Sequence, residues 1–442
     1  MTIQLHLAKV IMPISSCPII DGALLVEDSK ILKVGRQEDF GDYKDKKNKN
    51  YKVVDHKDSL ICPGFINLHT HLLYSGLTGL DGTNGLFPWL ESLIDFVSSW
   101  QEEDYKKSIR YGIKEAIESG TTYIVENTPS DLSIVELGNS PLKALAGIEI
   151  FGSDEILAKE IFNFAKENLE SIQNKFQKHK NLDFTFSPHA PYDVSISLWR
   201  ELLNWSQKNN KPLLTHLEES PQEKLWWNEK SGPALSFWEK INTLEPKLKN
   251  WKKYNSGISF LQKNNLLSEN IIAAHLCQAS GEELKKLKEN NINLVHCPRS
   301  NSYLNNGTSN LKLWNDLGLI WGIGTDSIAS NYSLDLLSEL RYTIKLQEQV
   351  FNYKLPTIDA IKAITYNAAK ILSKENEIGS LKEGNCADLL VYNIEKQSEY
   401  TNNSLYDLLV RDIDNKKDLK EVWINGEIIW QRKHLVDKIH KI

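Results

Sequence analysis

Several histidines and one aspartate follow short apolar runs of this chain, where they could bind a metal or transfer a proton. His69 and His71 form a His-x-His pair, His216 ends a later run, and Asp326 ends the last one. Alternate residues of a strand share a face, so His69 and His71 can bind one ion. Three imidazoles and a carboxylate suit Zn²⁺ or Fe²⁺, whereas Ca²⁺ and Mg²⁺ prefer oxygen ligands. We predict one divalent metal ion per chain, Zn²⁺ first and Fe²⁺ second.

Two more residues near this set could act on a bound substrate. Glu219 lies three residues after His216, and a carboxylate beside a metal can move protons as a general acid and base. The adjacent Glu218 competes for that role on spacing alone. His275 ends another apolar run and could orient the attacking water, while Asp326 could accept the proton of that water. Three further residues near strand ends could contact the substrate: His189, His296 and Arg299.

The elements that must position these residues alternate between strand-like and helical patterns from about residue 60 to residue 375. Eight apolar runs read as strands, at 64–68, 121–126, 144–151, 183–187, 212–215, 271–274, 292–295 and 320–324. Helical patterns cover 105–119, 195–209, 280–289 and 357–372. This alternation predicts an α/β fold, a (β/α)8 TIM barrel, whose strand ends open on one active face. An open doubly wound sheet is the alternative, but no glycine-rich phosphate loop opens a helix.

The two ends of the chain resemble each other in their short strand-like runs. Residues 1–60 give four such runs, separated at one point by a segment rich in Lys, Asp and Asn. The segment 376–442 adds others, with a turn at Asn425-Gly426 that suits a hairpin. We expect residues 1–60 and 376–442 to form one small β-sandwich domain, and residues 61–375 to form the metal-dependent barrel.

Composition narrows the class of protein. The chain has 52 Lys and Arg against 58 Asp and Glu, and this mildly acidic balance, without a basic block, argues against a nucleic-acid polymer as partner. Five widely spaced cysteines without a Cys-x-x-Cys argue against a disulfide framework. No apolar stretch approaches a membrane span, and the first residues lack signal-peptide features. We expect a cytoplasmic enzyme with a small-molecule substrate and no membrane partner.

Six segments together resemble the amidohydrolase superfamily, in its branch of nucleoside and base deaminases and triazine hydrolases. The segments are PGFINLHTHL (63–72), SPHAPYDVS (187–195), LTHLEES (214–220), IIAAHLCQ (271–278), LVHCPRSN (294–301) and GIGTDSIASN (322–331). The resemblance implies a single-metal site of His69, His71, His216 and Asp326. It also implies that Glu219 is the general acid and base, that His275 steadies the attacking oxygen, and that His189 contacts the substrate. A homodimer is compatible with the resemblance.

The segment after the first motif departs from that family. Deaminases of this branch that act on adenosyl compounds follow a Trp-Leu pair with Pro-x-Glu, whose carboxylate binds ribose hydroxyls. Trp89 is present here as a candidate substrate contact. Ser98, a second candidate contact, stands where the glutamate is expected, and Asp95 or Glu91 could substitute for that glutamate. This argues against methylthioadenosine or adenosylhomocysteine as substrate. Two later tryptophans, Trp226 and Trp227, could stack on a planar ring or pack in the core.

These observations predict a metal-dependent hydrolytic deaminase that releases ammonia from an aminated heterocycle. Nucleosides, purine or pyrimidine bases and pterin-like rings fit this class, and aminofutalosine-type compounds stay open. A triazine-type hydrolase that expels chloride or an alkylamine is the alternative enzyme, but Glu219 favours an amine leaving group because an amine must be protonated to leave. A non-catalytic scaffold is the remaining class, and metal content would separate it from the enzymes.

Overall fold

The eight predicted barrel strands are all present in the computed structural model, which describes residues 3–43, 51–251, 254–394 and 402–432. They form one sheet of parallel strands in chain order. The strands are β6 (Phe65–Thr70), β7 (Thr121–Thr128), β8 (Lys143–Ile150), β9 (Leu182–Pro188), β10 (Leu213–Leu217), β11 (Ile271–His275), β12 (Asn293–His296) and β13 (Trp321–Ile323). The prediction of a TIM barrel is therefore confirmed.

Hydrogen bonds between the first and last strands close this barrel. The backbone N–H of Asp326 donates to the carbonyl of His69 at 2.9 Å, and the side chain of Asn67 exchanges hydrogen bonds with Thr325. Gly324 permits this approach, since a Cβ at that position would stand 2.5 Å from the Cβ of His69. These contacts between the first strand and the segment after the last strand therefore bring Asp326 beside the His-x-His segment.

Helices cover the outside of the barrel and fill the connections. Those between strands β6 and β13 are α1 (Leu86–Val97), α2 (Glu102–Glu118), α3 (Asp131–Gly138), α4 (Ala158–Phe176), α5 (Ile196–Asn209), α6 (Pro221–Glu229), α7 (Pro233–Lys240), α8 (Leu244–Trp251), α9 (Gly257–Lys263), α10 (Gly281–Glu289), α11 (Pro298–Tyr303) and α12 (Leu311–Asp316). The later ones are α13 (Leu336–Phe351), α14 (Thr357–Ala363), α15 (Tyr366–Ile371), α16 (Asn402–Asp407) and α17 (Asn415–Asp418). No helix in these described ranges is long and apolar enough to cross a bilayer.

One predicted helix, at 357–372, is two helices in the structure. The first three helical predictions hold within a few residues, including the capping box at Ser280 and Glu283. Between α14 and α15, however, the carbonyl of Ile364 accepts a hydrogen bond from the backbone N–H of Ile66 in β6. That carbonyl is thereby taken out of the helical ladder, so a contact with the barrel breaks the helix.

Strands from both ends of the chain form a second sheet, as predicted. Its order is β16-β15-β14-β5-β1-β2-β3, with β4 paired to β1. The strands are β1 (Ile3–Ile11), β2 (Ile19–Glu27), β3 (Lys30–Arg36), β4 (Tyr51–Asp55), β5 (Ser59–Pro63), β14 (Leu389–Asn393), β15 (Leu419–Ile424) and β16 (Glu427–Gln431). The hairpin turn uses Asn425 and Gly426, both with positive φ. Sequence analysis missed β5, and most of the Lys-rich segment lies outside the described residues. The domain boundaries stay a prediction.

Candidate active site

The four predicted metal ligands lie together at the carboxyl ends of the barrel strands. His69 lies in β6, His71 directly follows it, His216 lies in β10, and Asp326 lies three residues after β13. The Nε2 atoms of His71 and His216 are 3.2 Å apart. The Asp326 Oδ1 atom lies 3.5 Å from the Nε2 of His71 and 3.8 Å from that of His69. These distances bring four donor atoms around one small volume.

Hydrogen bonds orient two of these rings toward that volume. The Nδ1 of His216 donates to the carbonyl oxygen of His189 at 2.8 Å, and the side-chain amide nitrogen of Asn127 lies 3.0 Å from the Nδ1 of His69. Metal-binding histidines commonly donate one ring N–H to an acceptor, as His216 does here, while the other nitrogen binds the ion. The Nε2 of His69 is buried and has no hydrogen-bond partner in the described part of the chain. A buried polar atom without a partner is costly, and a cation at the centre would satisfy it.

The charge states of the cluster also suit a divalent cation. Burial lowers the pKa of His69 and of His216 well below the usual histidine value, so both rings are neutral near pH 7. Burial raises the pKa of Asp326, but His71 and His69 outweigh that effect and keep its pKa well below the usual range. Neutral imidazoles and an ionised carboxylate are the forms that bind Zn²⁺. The donor set therefore fits a metal ion.

Asp326 is held in place by two serines as well as by the barrel seam. Its Oδ2 accepts from the hydroxyl of Ser300 at 2.5 Å and from that of Ser330 at 3.1 Å. The opposite oxygen, Oδ1, is the one that faces the histidines. Asp326 also has a φ of +60°, in the left-handed region that non-glycine residues seldom adopt. Strained residues persist where their surroundings over-determine them, which is common in active sites.

Glu219 and His275 face each other beside this cluster. The Nε2 of His275 lies 3.9 Å from the Oε2 of Glu219. Glu219 is fixed by the side-chain N–H of Asn306 at 3.0 Å, and the Nδ1 of His275 lies 2.8 Å from the Oδ1 of Asn301. Burial raises the pKa of Glu219, although His275 opposes the shift. A carboxyl group with a raised pKa keeps a proton more readily, as a general acid needs.

The structure separates Glu219 from its competitor Glu218. Glu219 lines the cavity that contains His71, His216 and Asp326, whereas the Oε1 of Glu218 accepts from the backbone N–H of Ile258 at 3.2 Å, at the start of α9. Glu218 has a φ of +49°, which turns the chain between the two carboxylates. The two neighbours therefore point to different surroundings, and only Glu219 is in position to meet a bound substrate.

A cavity of about 510 Å³ opens above the cluster. This volume lies within the ~300–1,000 Å³ typical of small-molecule sites. Most of its wall is apolar or aromatic, contributed by Leu86, Phe87, Trp89, Leu90, Leu93, Ile94, Phe151, Tyr192, Phe237, Trp238 and Ile241. Of the predicted substrate contacts, His189 and Trp89 line it. A flat, largely apolar ring would fit between such walls.

Two predicted substrate contacts do not lie at this cavity. The guanidinium of Arg299 pairs with Glu339 at 3.6 Å and donates to the hydroxyl of Ser333 at 3.3 Å. Ser98 is exposed at the end of α1, where its hydroxyl donates to the carbonyl of Asp95. The expectation for these residues needs correction, because Arg299 is held by α13 and helix α1 ends with Ser98 turned to solvent.

Other candidates from the sequence also lie elsewhere. The carboxylates of Glu91 and Asp95 pair with Lys240 on α7. His296 is fully buried, packs against Trp314, and has a pKa lowered by burial to about 3. Trp226 and Trp227 are buried as core residues, which is the packing alternative, and neither lines the cavity.

Sequence analysis missed two carboxylates on neighbouring strands, Glu126 on β7 and Glu149 on β8. Glu126 accepts from the hydroxyl of Thr70 and the backbone N–H of Leu72, the residues on either side of His71. Burial raises the pKa of Glu126 to about 8. Glu149 lines the cavity, with one oxygen within 4.8 Å of donor nitrogens of His71 and His216. The sequence pattern that could have identified both residues is a carboxylate near the carboxyl end of an otherwise apolar strand.

Comparison with known proteins gives the family. Residues 60–429, more than half of the chain, match the amidohydrolase family. The chain belongs to this family. A 5-methylthioadenosine/S-adenosylhomocysteine deaminase of Pyrococcus furiosus is 30% identical to this amidohydrolase, over 93% of this chain and 91% of that protein. The enzyme of the same name from Bacillus cytotoxicus is 27% identical, over 93% of this chain and 89% of that one.

Solved structures agree on the fold. An adenosine deaminase from Xanthomonas campestris, with bound zinc, superposes with a TM-score of 0.77 at 23% identity, and the match covers 96% of this chain and 92% of that one. The relatives confirm the class predicted from the sequence, a hydrolytic deaminase of an aminated heterocycle in the amidohydrolase family. They are named for the two adenosyl compounds that the missing Pro-x-Glu argued against, so the substrate needs its own argument.

Proposed function

We propose that this amidohydrolase is a single-metal deaminase of an adenine-type ring, with Zn²⁺ held by His69, His71, His216 and Asp326. The observation that carries the proposal is the meeting of this donor set with Glu219 at the floor of one aromatic cavity. The Nε2 of His69 is buried without a hydrogen-bond partner in the described part of the chain, and the buried ring of His69 is neutral, which supports a cation there. The zinc in the Xanthomonas campestris structure supports Zn²⁺.

Zn²⁺ held by these four residues would lower the pKa of its bound water, so that the water would lose a proton and become a nucleophile near neutral pH. Asp326 is placed to take the proton of that water, because its Oδ1 faces the same volume as the histidine nitrogens. The Nδ1 of His275 donates to the amide oxygen of Asn301, so its Nε2, beside Glu219, can accept a hydrogen bond from the attacking water. Asp326 and His275 would together orient that water and draw its proton away as the C–O bond forms.

Glu219 carries the proton transfers on the substrate. Its carboxyl protonates the ring nitrogen next to the carbon that bears the amine, which makes that carbon more electrophilic. The two protons of the added water complete the balance: Asp326 passes one to the amine, and the other, lost from the added hydroxyl as the carbonyl forms, restores the acid form of Glu219. The C–N bond then breaks, and ammonia leaves with the oxo compound as product. The anchoring bond from Asn306 and the raised pKa of Glu219 both suit this role.

The adenine-type ring is inferred from the cavity and from the relatives. The aromatic and aliphatic side chains that line the cavity, Trp89 among them, suit a planar bicyclic ring. Relatives that are 27–30% identical over most of this chain are named as deaminases of adenosyl compounds. We also propose that the enzyme acts in the cytoplasm, because all five cysteines lie in described segments and are free thiols.

Ammonia release tests this proposal directly. The protein is purified with Zn²⁺, and ammonia is measured with adenine nucleosides, free purine and pyrimidine bases, pterins and triazines. We expect about one zinc per chain, activity on adenine-type compounds, and loss of activity on chelation. Glu219→Gln should lower kcat by about 100-fold or more, since general acid–base catalysis contributes ~10²–10⁴-fold. Glu229→Gln, an exposed carboxylate of α6, is the matched control.

Each contrary outcome points to a different error. Full activity of Glu219→Gln would remove that residue from the mechanism. Ammonia release that persists after complete zinc removal would reject the metal site. Bound zinc with release of chloride or alkylamine, and none of ammonia from purines, would favour the triazine-type alternative, and absence of metal would favour a scaffold.

A further inference from the structure

We infer that Asp193 and Lys247 are positioning residues that together fix the imidazole of His189 for its contact with the substrate. This inference rests on the proposed deaminase function and on the expected role of His189. His189 follows β9 and lines the cavity, and its side chain is 17% exposed, so a bound ligand can reach the ring. Asp193 lies in the connection from β9 to α5, and Lys247 lies on α8, in the connection from β10 to β11.

Asp193 fixes one nitrogen of the His189 ring. The Oδ2 of Asp193 lies 2.7 Å from the Nδ1 of His189. Burial by itself would raise the pKa of Asp193, but Lys247 and His189 outweigh that effect and lower this pKa to about 2, so the carboxylate is ionised and can only accept hydrogen bonds. The Nδ1 of His189 therefore carries a proton and donates to Asp193. This bond leaves Nε2 as the ring nitrogen that a ligand can use.

The ammonium of Lys247 fixes the other oxygen of the same carboxylate. It donates to the Oδ1 of Asp193 and, at 2.8 Å, to the backbone carbonyl of Tyr192, and it lies 4.8 Å from the ring centre of Trp238. The side chain of Lys247 is only 2% exposed. With one oxygen held by Lys247 and the other by His189, the carboxylate cannot rotate without breaking a hydrogen bond. The three side chains therefore form a chain of hydrogen bonds from α8 to the cavity.

Neither Asp193 nor Lys247 takes part in the proposed chemistry, and stability alone does not account for the pair. Burying two charges costs free energy of hydration, and apolar residues of similar volume often stabilise a fold as well as such a pair does. A neutral histidine can carry its proton on either ring nitrogen, and the bond made by one nitrogen decides the state of the other. Asp193, held by Lys247, therefore selects the tautomer of His189 and the orientation of its ring, against which Phe151 packs at 4.6 Å between centroids.

The variant Asp193→Asn tests the tautomer directly. An ammonium can only donate, so Lys247 should hold the amide oxygen, and the amide N–H should then face the Nδ1 of His189. The ring must in that case carry its proton on Nε2. Nitrogen NMR of the zinc-loaded enzyme, labelled with ¹⁵N in histidine, reports which ring nitrogen is protonated, and His189→Ala identifies the signal. We expect a protonated Nδ1 in wild type and an unprotonated Nδ1 in Asp193→Asn.

A double-variant cycle tests whether Asp193 acts through His189. With 5′-methylthioadenosine as substrate, Asp193→Asn should raise KM by about 10–100-fold, the range for one hydrogen bond to a charged group, and change kcat by less than about threefold. Loss of a contact that is equally strong in the ground state and the transition state raises KM alone. In the His189→Ala background, the same substitution should change kcat/KM by less than about twofold, because the ring through which it acts is gone.

The role of Lys247 is tested by Lys247→Met, which should raise KM about tenfold because Asp193 loses the bond that fixes its carboxylate. The matched control is Lys240→Met on α7, which removes an exposed ion pair with Glu91 and Asp95. One unpaired buried charge can unfold a protein, so the double variant Asp193→Asn/Lys247→Met is also measured. Without the ammonium, its amide can turn the oxygen toward His189, so this variant should regain a protonated Nδ1 and part of the lost KM.

These measurements separate the inference from the proposed function. The NMR signals need no substrate, so the expected change of tautomer supports the inference even without ammonia release, in which case only the deaminase proposal fails. An unprotonated Nδ1 in wild type, or the same Nδ1 signal in wild type and Asp193→Asn, would overturn the inference. Equal losses of kcat/KM with and without His189, or reduced zinc content in the variants, would overturn it too. A loss in Lys247→Met that is confined to anionic ligands would make Lys247 a substrate contact instead.

Discussion

Loss of the Ser300 hydroxyl should weaken zinc binding more than loss of the Ser330 hydroxyl. Both serines donate to the Oδ2 of Asp326, at 2.5 Å and 3.1 Å respectively, while the Oδ1 faces the histidine cluster. The two hydroxyl oxygens are also 2.9 Å apart. Each hydroxyl has one proton. The shortest contact of Ser300 is directed at the carboxylate, whereas Ser330 divides its donation between Asp326 at 3.1 Å and the carbonyl oxygen of Ser327 at 3.3 Å.

The size of the effect follows from the cost of one charged hydrogen bond. Such a bond contributes about 1.5–3 kcal/mol, and the partners of metal ligands typically change metal affinity by about 10–100-fold. A tenfold change corresponds to about 1.4 kcal/mol, so the two ranges agree. We expect Ser300→Ala to raise the zinc dissociation constant by about 100-fold and Ser330→Ala by about tenfold. In both variants Asp326 keeps its backbone bond to His69, so the barrel should stay closed.

Competition with a chromophoric chelator measures the zinc dissociation constant, and thermal unfolding of the metal-free proteins checks the fold. Ser302→Ala, on the same helix α11, is the matched control. Unchanged zinc affinity in a fully folded Ser300→Ala variant would show that this hydroxyl does not support the metal ligand. Equal weakening of zinc binding in all three serine variants would also contradict this expectation, because the loss would then come from α11 as a whole.

Two stability predictions concern the terminal sheet. Lys143→Met should lower the free energy of unfolding by about 3–5 kcal/mol, because it leaves Asp388 buried without the ammonium at 2.7 Å, and the double variant Lys143→Met/Asp388→Leu should recover part of that loss. Urea unfolding of the two variants measures both values, and an unchanged single variant would contradict a buried pair. Burial, together with His56, lowers the pKa of His6 to about 3, below its unfolded value of 6.5. The unfolded state therefore binds the extra proton between pH 3 and 6.5, so the contribution of His6 to stability is present above pH 6.5 and is lost as the pH falls through that window, by up to about 1.4 kcal/mol per pH unit. Unfolding free energies from pH 4 to pH 7 should rise less steeply in His6→Phe than in wild type, and parallel curves would show that His6 does not titrate in this way.

The barrel could be predicted from sequence because its strands are buried on both faces and bounded by turns. All eight runs became strands, and the polar residues at their ends met at one face, as the parallel arrangement requires. The helix at 357–372 could not be divided in advance, because its break depends on Ile66, almost 300 residues earlier in the chain. Local periodicity contains no information about such a contact.

The same limit explains the errors at the site. Arg299 follows a strand end in a motif of the family, but its guanidinium lies 3.6 Å from the carboxyl group of Glu339, a residue of α13, and does not line the cavity. Glu149 was overlooked because it lies inside a strand, where a carboxylate reads as an interruption of an apolar run. Inward residues near the carboxyl end of a barrel strand face the cavity as surely as the residues that follow it, as Glu149 does.

The missing Pro-x-Glu shows why a functional position must be judged in space. Ser98 occupies the expected place in sequence, yet it is exposed at the end of helix α1 and does not line the cavity. The carboxyl ends of all eight barrel strands surround one opening. A polar residue on β8 can therefore lie in the same cavity as a residue from the segment that follows β6. Absence of a motif after one strand therefore excludes one route to ribose binding, and it carries no information about the polar residues that other strands, such as β8 with Glu149, bring to the same cavity.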